Sequence, residues 1–230
     1  MFIGHFGAAF ATKKMNRKPS LGTMFMAAQW LDLVWPVLVL LGIEKVKVAP
    51  GITAFTPLDF TYYPFTHSLL AAVLWAGLFG GAYYLLRKDR TTSIILGGLV
   101  LSHWLLDLLV HRPDLPLAFG NHIFMGFGLW NSTAGTLIVE SLLFAGGCAL
   151  YLSVSHSLDR KGAIGCWSLI AFLGLVYVMN IIGPPPASAQ AIGYAGLSQW
   201  LLVGWAYWVD RHRNARAEVP VGVAKINATG

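Results

Sequence analysis

The sequence predicts an all-α, polytopic membrane fold, and three observations carry that prediction. The chain of 230 residues is 56% hydrophobic. Only 11% of its residues are charged, under half of the roughly 25% usual in a soluble domain. Six apolar runs, at 20–43, 64–86, 93–111, 127–155, 163–182 and 191–210, each reach the roughly 20 residues that a helix needs to cross a bilayer. The net charge of +6 does not point to nucleic acid, because the basic residues form short clusters between apolar runs, as membrane-flanking loops do.

Taken in order, the opening MFIGHFGAAFA is apolar and precedes the first Lys. That is the reverse of a secretory signal's layout, so no cleaved signal is read. Too short to span, it predicts a half-helix dipping into the bundle and covered there by protein. The first run carries Gln29 and Asp32, the second opens on YYPFTHSLLAA, and the third ends in LSHWLLDLLVH. The fourth is overlong, so part of 115–131 is expected to form a separate lid or re-entrant piece. Its Thr133, Thr136 and Glu140 share one helical stripe. GPPPASAQ at 183–190 reads as an outer turn before the sixth run. Residues 1–212 form one helical domain in this reading, and 213–230 a polar cytoplasmic tail. Gly77, Gly81, Gly146 and Gly147 read as helix-packing surfaces, and Cys148 and Cys166 have no metal-like spacing.

The basic residues set the orientation. Connections at one end hold 13 of the 16 Lys and Arg: Lys13, Lys14, Arg17, Lys18, Arg87, Lys88, Arg90, Arg160, Lys161, Arg211, Arg213, Arg216 and Lys225. The other end holds Lys45, Lys47 and Arg112. The positive-inside rule places both termini in the cytoplasm of a cell with this chain in its inner membrane.

The spans contain Asp32, Asp107 and Glu140, with His67 and His103, and no Lys or Arg inside them. Three ionised, unpaired acids at mid-bilayer would cost about 8–10 kcal/mol at roughly 2.5–3.5 kcal/mol each, comparable with a domain's whole net stability. The acids must therefore be protonated, open to a water cavity, or neutralised by a captured cation. His103, Asp107 and His111 recur every four residues, so a helix would align them on one slowly drifting stripe. A lone His103 reads as an interhelical hydrogen-bonder; with Asp107 one turn away it reads as part of a site. His122, His156 and His212 fall in loops or near ends and read as solvated.

In four pieces, MFIGHFGAAFA, the acid of AAQWLDLVWP, YYPFTHSLLAA and LSHWLLDLLVH, the chain resembles bacterial inner-membrane proteins described as metal-dependent hydrolases. The resemblance covers residues 1–115 and implies His5, Asp32, His67, His103 and Asp107 as site residues. That family often has Asp-x-Asp where this chain has Asp32 alone, and His-Arg-Gly where it has Tyr63-Pro64-Phe65. The resemblance thus implies fewer ligands than a two-metal centre would take.

Three functions follow as expectations. The first is an intramembrane hydrolase of a lipid ester or phosphoester. His67, His103 and Asp107, with His5 or His111, would hold a divalent ion, Zn²⁺ by ligand type, which activates water. Asp32 or Glu140 would act as general base or orient the ligand histidines. The second is a proton- or ion-coupled transporter built on the same groups. The third is a scaffold whose buried acids are protonated.

Overall fold

A computed structural model describes residues 1–120 and 123–215; His122 and the tail from Arg216 onward lie outside the described residues. Helix α1 (Ile3–Met15) ends at the first basic cluster. Ser20 then caps α2 (Leu21–Ala28) by accepting from Thr23 N–H. The first long run does not stay straight. It breaks at Gln29 and continues as α3 (Trp30–Leu40), with a 55° bend between the two pieces.

Beyond α3 the chain forms strands β1 (Lys45–Val48) and β2 (Leu58–Tyr62), paired antiparallel, then one turn of helix, α4 (Pro64–His67). Ser68 Oγ accepts from Ala71 N–H and starts α5 (Leu69–Arg87). Asp89 caps α6 (Arg90–Val110). The stretch expected to form a lid holds β3 (Leu115–Pro116), β4 (Phe124–Met125) and a 3₁₀ turn at Leu129–Asn131. Helix α7 (Thr133–Val154), strand β5 (Ser155–Ser157), helices α8 (Arg160–Ile182), α9 (Ala189–Leu197) and α10 (Gln199–Arg211), and strand β6 (Arg213–Ala215), paired with β5, complete the described chain.

Helices α5, α6, α7 and α8 are each long and apolar enough to cross a membrane, and α2 with α3 make a fifth if the bent pair is one span. The sixth expected run differs, being divided at Ser198 into helices of 9 and 13 residues, each shorter than a span. The fold is also not purely helical. The described residues include three two-stranded antiparallel sheets, one of which pairs β5 with residues 213–215, the start of the expected polar tail.

Hydrogen bonds sort the connections into the two ends that the Lys and Arg count separates. Lys13 meets Asp210, Lys18 meets Asp89 and His212 meets Asp159 at one end. Arg112 meets Asp59, and Thr133 Oγ1 donates to the Ala54 carbonyl, at the other. The glycines that pack are mostly not those expected. Gly77, Gly81 and Gly146 face open space. Gly147 does pack, its α-carbon so near Gly7 that an added Cβ would lie 2.1 Å from the Gly7 carbonyl oxygen. Gly80 sits likewise against the Ser93 carbonyl. Only the Gly80 crossing is set one position off the small-residue pattern visible in the sequence.

Candidate metal centre

The break at Gln29 builds the first wall of the site. It interrupts the helical ladder, and the Ala28 carbonyl accepts a 2.7 Å hydrogen bond from His103 Nδ1 instead. A carbonyl can only accept, so Nδ1 must carry the proton. His103 Nε2, buried and without a hydrogen-bond partner, therefore turns toward the interior. One turn on, Asp107 lies on the same face of α6, and one turn past the break α3 presents Asp32.

These groups converge with His67. His67 Nε2 lies 3.3 Å from Asp32 Oδ1 and 3.8 Å from Asp107 Oδ2, and His103 Nε2 lies 3.7 Å and 3.3 Å from the same two oxygens. Helix α1 brings His5, whose Nε2 is 3.1 Å from Asp107 Oδ1 and whose ring stacks on His103 with centroids 3.6 Å apart. The Met1 amine sits 2.5 Å from the same Asp107 oxygen. Two overlapping groups, His5–His103–Asp107 and Asp32–His67–His103, place their ligand atoms within 4.8 Å of one another and can each hold a metal ion. His103 is common to both.

Burial and charge make the case for a cation. The side chains of His5, His67, His103 and Asp107 are 5% exposed or less, and only Asp32, at 21%, is open. Asp32 Oδ1 and Asp107 Oδ2 face imidazole nitrogens at distances longer than a good charge-assisted hydrogen bond. Imidazole lone pairs pointed at carboxylate oxygens repel unless a proton or a metal lies between them. The orphaned His103 Nε2 fits a metal by that test.

The other predicted residues go elsewhere. His111 does not join either group. Its ψ of 143° takes it out of the helix, as the nearby Pro113 requires of the segment before it, and Nδ1 donates to Asp114 Oδ1 at 2.9 Å. Glu140 lies across the bundle, where Oε2 accepts from the backbone N–H groups of Phe2 and Gly4 at 2.8 and 3.4 Å, an anion at the first turn of α1. Of the histidines read as solvated, His156 is exposed and His212 is half-buried beside Asp159.

Sequence reasoning missed Glu44, Thr66 and Tyr63. Glu44 is 1% exposed, and burial pushes its carboxyl up from the ordinary range against the hydrogen bonds from Thr66 and Phe65 that pull it down. Thr66 stands beside His67 in the Thr-His-Ser stretch, so a signal existed there. Glu44, a lone acid just past an apolar run, offered none. Tyr63 packs with Phe60, Trp130 and His111 into an aromatic layer beside His67. No family model, curated protein or solved structure matches this chain.

Proposed function

We propose that the protein is a membrane-embedded, zinc-dependent hydrolase acting on an ester or phosphoester of a membrane lipid. One observation carries this reading: a carboxylate oxygen of buried Asp107, one of part-exposed Asp32 and two imidazole Nε2 atoms converge to 3.3–3.8 Å, with no Lys or Arg paired to them among the described residues. Embedding is supported by the four long apolar helices and an orientation with both termini cytoplasmic by the basic end. A histidine–carboxylate set favours zinc among abundant divalent ions.

His67, His103 and Asp107 would hold the ion, with His5 stacked behind His103. A bound Zn²⁺ supplies a Lewis acid that lowers the pKa of water toward ~7. Asp32, the part-exposed member of the group, would take the proton from the attacking water. Phe60, Tyr63 and Trp130 pack into one aromatic layer, with the Tyr63 ring 5.4 Å from that of His67. Apolar side chains exposed along the long helices, such as Leu74, Leu78 and Leu105, favour a substrate that arrives through lipid. In this reading Glu140 anchors α1 and takes no part in the chemistry.

Elemental analysis and lipid hydrolysis test the proposal together. Protein purified in detergent should carry stoichiometric zinc and hydrolyse phospholipid in mixed micelles, lose both on chelation, and recover both with zinc. His67→Ala protein should hold no zinc. Wild-type protein that folds without metal and moves ions across proteoliposomes would instead establish the transporter alternative.

A further inference from the structure

We propose that Glu44 is a positioning residue that fixes the tautomer of His67 through the hydroxyl of Thr66. The proposal rests on the metal-centre reading above and adds the directionality of one of its ligands.

Glu44, Thr66 and His67 are 1%, 0% and 4% exposed, so their hydrogen bonds are made with one another and not with water. Glu44 Oε1 accepts from the backbone N–H of Phe65 at 2.7 Å and of Thr66 at 2.9 Å. Its other oxygen, Oε2, accepts the Thr66 hydroxyl at 2.6 Å. A hydroxyl has one proton and lone pairs to spare. With that proton given to Glu44, Thr66 Oγ1 can only accept from His67 Nδ1, 2.7 Å away. His67 Nδ1 therefore bears the hydrogen, and Nε2 presents its lone pair to Asp32 and Asp107. The Ala28 carbonyl does the same for His103. Both imidazoles are thus preset as ligands by acceptors behind them, an arrangement that metal-binding histidines commonly use.

The two backbone donors fix which oxygen meets Thr66, and an ionised carboxylate can only accept there. They demand an acceptor at Oε1, which holds the carboxylate so that Oε2 must face Thr66. In Glu44→Gln, one orientation keeps the amide oxygen on the backbone donors and turns the NH₂ group on Thr66. Thr66 then has to accept from the amide and donate to His67 Nδ1, which moves the ring proton to Nε2 and spoils the ligand. The opposite orientation sets the NH₂ group against two N–H donors. Either way the isosteric change reverses or breaks the relay.

The test is zinc affinity by competition with a chromophoric chelator, in detergent-purified full chain. Glu44→Gln and Thr66→Val should each lose about 10–100-fold, while Thr66→Ser, which keeps the hydroxyl, should bind as wild type does. Wild-type affinity in both Glu44→Gln and Thr66→Val would overturn the relay and leave the metal centre standing. Wild-type protein that binds no zinc would overturn the metal centre and the relay with it. If the variants do not fold, the ¹⁵N-histidine spectrum of zinc-free wild type decides, with His67 assigned by its loss in His67→Asn. The Nδ1–H tautomer is expected, and the Nε2–H tautomer would overturn the proposal.

Discussion

Two His–Asp clusters lie within about one helical turn of each other at the outer end of α6, and they close their charge in opposite ways. In the outer cluster, Asp114 accepts from His111 Nδ1, from the Tyr63 hydroxyl at 3.1 Å and from Arg112 Nε at 3.0 Å, while Arg112 also meets Asp59. Every carboxylate there faces a donor, and a guanidinium supplies the fixed positive charge. In the inner cluster the Met1 amine covers one oxygen of Asp107. Among the described residues, the partners of Asp32 Oδ1 and of the other Asp107 oxygen are imidazole nitrogens. The same residue types make a finished strut in one place and an open ligand set in the other. What separates them is whether each carboxylate oxygen meets a fixed donor, not which histidines and aspartates are present.

Substitutions in the two clusters can break that comparison. The largest effect is expected for His103→Ala, since His103 belongs to both candidate ligand groups. Zinc retained through purification should vanish, and full occupancy by elemental analysis would refute the inner cluster as a metal centre. Asp107→Asn should follow closely. It removes the charge that faces His5 and His103, and a loss of affinity by at least about tenfold is expected from disturbing a ligand.

Asp114→Asn, by contrast, should leave zinc affinity unchanged and cost only stability. Arg112→Met should do the same, lowering unfolding stability by about 1 kcal/mol, because the arginine and its two aspartates are 12–31% exposed and partly screened. A change in zinc occupancy on either substitution would merge the two clusters into one functional unit.

The smallest effect belongs to the basic end. Asp89 is held down at about 2 from its ordinary 3.8, first by the hydrogen bond from Lys18 and then by those from Thr92. A depressed carboxyl favours the fold above its unfolded pKa and loses that contribution as pH falls through the folded value. The stability gap between wild type and Asp89→Asn should therefore be complete above about pH 4 and close toward pH 2, as followed by thermal unfolding. Added salt should shrink it, since the pair is exposed.

Much of this is legible in the sequence. Apolar runs longer than a bilayer is thick cannot be hidden by context, so the long helices α5 to α8 stand close to their expected positions. Acids inside long apolar runs are costly, which singles out Asp32 and Asp107, and four-residue spacing puts His103 beside Asp107. The same spacing also put His111 in the ligand set, because periodicity continues on paper past the point where Pro113 ends the helix. Glu140 was recognised as an unusual buried acid, but its task of holding the first turn of α1 depends on a contact 138 residues away.

The sequence by itself determined the long apolar helices, the basic end and the short list of costly polar residues, since each follows from local composition and helical period. Tertiary structure alone decided which of those residues face one another, which are closed by an arginine, and which way each imidazole points. Those outcomes depend on hydrogen bonds between segments tens of residues apart, such as Glu44 to Thr66 and Ala28 to His103. No local pattern encodes the partner of a buried donor, because the partner is chosen by packing.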